Sequence, residues 1–131
     1  MKRKIATIAA GVMLFHLSAI AHHSVGVHYD LSKEIEFEGK VVEVLLRSPH
    51  SFFFVEAKDE VGKMQKWSIE GAGVAQFAQQ GVTPATFNVG DYVKIVGNPA
   101  HNKTTYRARL VKITRPSDGK SWGGRAGEVV D

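Results

Sequence analysis

Polar and apolar residues begin to alternate at Glu34. Glu34, Glu36, Glu38 and Lys40 fall on one face, and Ile35, Phe37, Gly39 and Val41 on the other. A repeat of two predicts a half-buried strand. At Val41-Val42 the phase slips, so that Val42, Val44 and Leu46 carry the apolar face with Glu43 and Arg47 opposite. Two arrangements produce such a slip. One is a bulge in a strongly curved strand, with Gly39 nearby; the other is a strand end buried on both faces. Ser48-Pro49-His50-Ser51 interrupts the pattern, because proline has no N–H to give to a ladder. Phe52 to Ala57 is a second, aromatic and strongly β-forming run. Asp59-Glu60-Val61-Gly62 reads as a hairpin loop. Lys63 to Glu70 is a third strand, with Gln65, Trp67 and Ile69 on one face.

The period then changes. Val74, Phe77 and Ala78 stand at i, i+3 and i+4, which predicts a short helix over Gly73 to Gln80, stopped by Gly81. Thr83-Pro84 predicts another helical turn, with the proline at its first position. Tyr92 to Gly97 and Tyr106 to Thr114 are the fourth and fifth strands, separated by the polar loop Asn98–Thr105. Trp122 to Asp131, with three glycines, reads as a loose tail. Strand, strand, strand, helix, strand, strand is the order of a mainly β fold, a small OB-like five-stranded Greek-key barrel with one short helix between strands 3 and 4. A plain β-sandwich is the alternative. The expected division is a leader over 1–21, a His-rich arm over 22–33, the barrel over 34–120 and a flexible tail over 121–131.

The leader changes how charge is read. Lys2-Arg3-Lys4 precedes the mostly apolar run Ile5–Ile20, which ends in the small-x-small pattern Ala19-Ile20-Ala21. That is the layout of a cleaved signal peptide, and the run is shorter than the ~20 residues of a spanning helix. The expectation is a mature chain beginning at His22, periplasmic or secreted, with no stable membrane anchor after cleavage. The whole chain of 131 residues has 17 basic and 13 acidic side chains, a net +4. The leader holds three of the basic residues and no acid, leaving 14 against 13, a net +1. Nucleic-acid binding thereby loses its compositional support, and no nucleic-acid partner is expected. The absence of cysteine excludes disulfide scaffolds, thiolate metal sites and thiol catalysis.

Five of the six histidines lie in the expected mature chain: His22, His23, His28, His50 and His101. Cleavage before His22 presents its α-amine and Nδ1 together, a nitrogen-rich chelate suited to Cu(II). His23 or His28 adds an imidazole, and His50 closes the site if the arm folds back. Glu70 is a candidate oxygen ligand or an orienter of an imidazole. The candidate metal ligands are therefore His22, His23, His28 and His50, with a copper ion as the candidate cofactor. The plainer alternative is a solvated, metal-free arm. No set of catalytic residues is complete, so no enzyme activity is expected. The rival function is an OB-type ligand- or partner-binding module without metal. Phe52, Phe53, Phe54, Trp67, Tyr92 and Tyr106 are its stacking candidates, and Lys103, Arg107 and Arg109 its basic cluster.

Several short motifs recur together: Ala21-His22-His23-Ser24, Tyr29-Asp30, Gly39-Lys40-Val41, Pro49-His50-Ser51, Trp67 with Glu70, Gly90-Asp91-x-Val93, Gly97-x-Pro99 and Asp118-Gly119. In this order the chain resembles a family of small exported bacterial proteins, a domain of unknown function marked by a His-His-Ser start, an Asn-Pro-His motif and Trp-x-x-Glu. The resemblance runs from Ala21 to about Lys120. It departs at Leu45-Leu46-Arg47, where the family has a tryptophan, at Ser48, where it has asparagine, and at Gly71-Ala72-Gly73-Val74, where it has Gly-Ser-Pro-Asn. It implies export and a small β-rich domain, and it implies no established activity.

Overall fold

A computed structural model describes residues 24–124. The leader, His22 and His23, and the chain after Gly124 lie outside the described residues. The strands are β1 (Ile35–Leu45), β2 (Phe52–Lys58), β3 (Met64–Glu70), β4 (Tyr92–Pro99), β5 (Arg107–Arg115) and β6 (Lys120–Gly123). Two short helices join them, α1 (Ser24–His28) before β1 and α2 (Val74–Gln79) between β3 and β4. Antiparallel ladders run β3-β2-β1-β4-β5, and a parallel pairing of β3 with β5 closes the ring. The result is the expected five-stranded OB-like barrel, with β6 outside it on the far edge of β5.

The phase slip in β1 is a bulge. Val41 pairs with Val55 and Glu43 with Phe54, so Val42 is the extra residue. The bulge lets one strand serve two partners: Ile35–Lys40 pairs with β4, and Lys40–Leu45 with β2. Curvature of this kind brings backbones close. A Cβ at Gly39 would stand 2.2 Å from the Glu56 carbonyl oxygen, so only glycine fits there.

Alternation fills the barrel. Val41, Phe53, Val55, Ile69, Ile95 and Leu110 are fully buried. Helix α2 covers one end of the barrel through Phe77, whose ring lies edge-on to Phe53 at 5.8 Å and against Trp122 at 4.4 Å. The Gln76 side-chain oxygen accepts the Gly73 N–H at 3.0 Å and so starts the helix. The turn after Thr83 differs from expectation. Its hydroxyl and carbonyl are spent on local bonds to Ala85 and Thr86, giving turns rather than a helix.

The expected flexible tail needs correction at its start. Lys120–Gly123 forms β6, with Ile113 opposite Trp122. The Trp122 indole is 1% exposed and donates to the Gln76 carbonyl at 3.2 Å. Its glycine-rich surroundings hid it: Gly123 has a positive φ and packs on Val111, so here glycine marks close approach rather than looseness.

Arg115 clasps three turns. It donates to the Thr86 carbonyl at 2.6 Å, to Asp118 at 2.7 and 3.0 Å, and to Asp91. Arg115 and the Lys120 N–H lower the Asp118 carboxyl to about 2. Burial pushes Asp91 upward, but the Asn88 N–H and Arg115 outweigh it and lower the net value.

Two predictions follow from the packing and the clasp. Trp122→Ala should cost about 3–5 kcal/mol in urea unfolding, as for a large buried aromatic; a loss under about 1 kcal/mol would place the ring outside the core. The Asp118 contribution is present above the ordinary carboxyl value of 3.8 and is lost as pH falls through about 2. Urea midpoints measured across that window should fall less for Asp118→Asn than for the wild type; equal slopes would mean that the carboxylate is not held by Arg115.

Candidate functional site

Glu70 is the last residue of β3, and it gathers side chains from three other parts of the chain. Its Oε2 accepts the Tyr29 hydroxyl at 2.5 Å and faces an Arg107 guanidinium nitrogen at 3.7 Å. Its Oε1 faces His50 Nδ1 at 3.5 Å. Arg107 also donates to the Tyr29 oxygen at 3.3 Å and lies over its ring at 5.9 Å. One carboxylate is thus set among a phenol, an imidazole and a guanidinium.

Local structure explains each placement. Tyr29 follows α1 and is 3% exposed. A β-bridge pairs it with Ala100, the Asp30 N–H donates to Pro99, and the His101 N–H donates to the His28 carbonyl. Asn98, buried in β4, donates to the Lys33 carbonyl at 2.8 Å and accepts from Arg109 at 3.3 Å. The arm is therefore stitched to the β4–β5 connection along residues 26–33. Burial, and then the bond and charge of Glu70, push the Tyr29 phenol well above its ordinary range, and Arg107 opposes them. The phenol stays protonated and keeps donating.

His50 is positioned by its neighbours. The Ser48–Pro49 peptide bond is cis. Ser51 is fully buried; its hydroxyl donates to the Arg47 carbonyl at 3.1 Å and accepts the Arg47 N–H at 3.2 Å, closing the turn around His50. The Gly71 N–H donates to the Ser51 carbonyl and the Ser51 N–H to the Ala72 carbonyl, which clamps this turn beside the end of β3. A Cβ at Gly73 would stand 3.1 Å from the Pro49 carbonyl oxygen. Ser51 is thus spent on architecture. His50, 38% exposed in its side chain, is left at the surface next to Glu70.

The structure brings His50 and Glu70 together as a pair. His28 is exposed at the end of α1. His22 and His23 lie outside the described residues. Among the described residues, no group of three or more His, Asp or Glu side chains is placed to hold a metal ion. Tyr29 and Arg107 are the partners that residue chemistry alone did not assign to this site. Tyr29 had a signal, the Tyr29-Asp30 motif; Arg107 stood in a basic cluster with nothing to pair it with Glu70 before the parallel β3–β5 register was known. That cluster is also dispersed: Arg107 belongs to Glu70, Arg109 bonds Asn98, and Lys103 is exposed in the loop.

The stacking candidates separate as well. Phe53 is core. Trp67 stacks on Phe37 at 4.4 Å and meets Tyr106 edge-on at 5.3 Å, packed against the core. Phe52 and Phe54 lie on the outer face of β2.

A family-wide sequence profile matches residues 11–108. The chain belongs to DUF6152, a family of unknown function. The matched stretch holds all four residues of the Glu70 cluster, Tyr29, His50, Glu70 and Arg107. Comparison with curated proteins returns no match. Membership of DUF6152 agrees with the resemblance to a domain of unknown function, and it assigns no chemistry.

The site yields one stability prediction. Tyr29→Phe keeps the ring and removes the donor to a carboxylate, and should cost about 1.5–3 kcal/mol. Amide exchange of residues 25–33 should accelerate more than that of β2. Unchanged exchange in the arm would show that the hydroxyl does not hold it to the barrel.

Proposed function

We propose that this DUF6152 protein is an exported, periplasmic, non-catalytic binding protein. It takes up Cu(II) through the α-amine and imidazole of a processed His22, together with His23 or His28 and His50. One observation carries the reading: Tyr29 and His50 meet on the two oxygens of the same carboxylate. The arm is folded back onto the barrel at the point where the barrel presents its histidine.

Glu70 supplies the orientation. With the imidazole proton on Nδ1, facing Oε1, the Nε2 lone pair is directed away from the carboxylate and is available to a metal. Amine plus imidazoles is a nitrogen-rich set, and Cu²⁺ binds such sets most tightly among the divalent first-row ions. Export is supported by the leader pattern in residues 1–21. Among the described residues, no helix is long and apolar enough to cross a membrane.

The test uses protein recovered from the periplasm with its native N-terminus. Its first residue should be His22, and Cu(II) titration should show one tight site. A variant with one extra residue before His22 should lose most of that affinity, and His50→Ala should lose part of it. If both bind copper as tightly as the processed wild type, the amino-terminal site does not exist; if the first residue is Met1, export with cleavage is wrong.

A further inference from the structure

A second surface adjoins His50 and uses none of the candidate copper-binding histidines. Strand β2 buries Phe53, Val55 and Ala57 and turns Phe52 and Phe54 outward. The two outer rings lie nearly parallel, with centroids 6.3 Å apart. The register sets Phe52 between Leu45 and Glu70, and Phe54 between Glu43 and Ser68. Arg107 and Arg109 continue the same rows on β5. Both rings are half-buried on this outer side, while the core is filled by Phe53 and its neighbours.

Cations frame these rings. Arg47 lies 5.3 Å from the centroid of Phe52, and Lys66 lies 4.8 Å from that of Phe54. The face carries Lys40, Arg47, Lys58, Lys66, Arg107 and Arg109 alongside Glu43, Glu56 and Glu70. Glu43 is answered by Lys66 at 3.4 Å, and Glu70 by its own cluster. Among the described residues, Arg47 pairs with no carboxylate.

We propose that this face binds an acidic oligosaccharide. The outer side of strands 2 and 3, with the β1–β2 and β4–β5 loops at its rim, is where OB-type barrels take extended polymers. Flat aromatic rings accept the C–H faces of pyranoses. Arg47 and Lys66 are long enough to swing from the ring faces to carboxylates on successive sugars. The surplus of positive charge selects an acidic chain over a neutral one. Choosing a glycan over a nucleic acid rests on the export proposed above; the face itself does not depend on copper.

Metal-free processed protein, titrated calorimetrically with short oligogalacturonates, tests the proposal. The oligouronide should bind, more weakly as salt rises, while neutral cello-oligosaccharides should bind at least tenfold less well. Phe52→Leu and Phe54→Leu keep apolar volume and should each weaken binding roughly tenfold or more, by analogy with other aromatic stacking platforms. Phe52→Tyr and Phe54→Tyr should retain it, and Arg47→Ala should reduce both affinity and salt dependence. His50→Ala should leave it unchanged, which separates this face from the copper site. No binding of the oligouronide, binding indifferent to both leucine variants, or equal binding of a single-stranded oligonucleotide would overturn the proposal.

Discussion

The parallel pairing of Ser68, Ile69 and Glu70 with Arg107, Ala108 and Arg109 turns a curved sheet into a closed barrel. All the other ladders of the ring are antiparallel neighbours that an open sheet could also form. Closure removes the exposed edges of β3 and β5 over this stretch and seals Ile69 and Ala108 inside. It also decides the chemistry of the surface. Glu70 and Arg107 are far apart along the chain and meet only because the two strands are zipped at this register. Tyr29 then seats its hydroxyl between them, and the arm before β1 acquires a fixed place. The barrel and the candidate site rest on the same few pairs.

Much of this architecture is legible in the residues. The two-residue period of Ile35–Val41 and its slip at Val42 mark a bulged strand, because a bulge inserts one residue and exchanges the faces. The spacing of Val74, Phe77 and Ala78 marks a helix, and Phe77 does point into the core. What is not legible depends on contacts made at long range. Trp122 stands among glycines and serines, the local composition of a tail, yet its indole completes the packing of Phe77. Thr83-Pro84 has a helical opening, but Thr83 and Thr86 satisfy the backbone within a turn.

The site divides the same way. His50 and Glu70 can be picked out by residue chemistry, and the fold places them side by side. Arg107 reads as one more exposed cation until the β3–β5 register is known. Ser51 belongs to a break in the alternation, and burial with two bonds to Arg47 makes it a structural element. Asn98 looks like a loop residue, but its buried amide ties Lys33 to Arg109. In each case the short-range signal names the residue type, and the distant partner decides its use.

The link between Trp122 and the Gln76 carbonyl spans 46 residues of sequence, and it joins the last strand to the helix over the barrel end. The closing pair of β3 with β5 likewise waits for residues made well after Glu70. A chain that has reached only α2 therefore lacks the closing strand β5 and the Trp122 that anchors the covering helix. Until β5 is present the ring cannot close, and the apolar faces of the first three strands lack the strands that seal them.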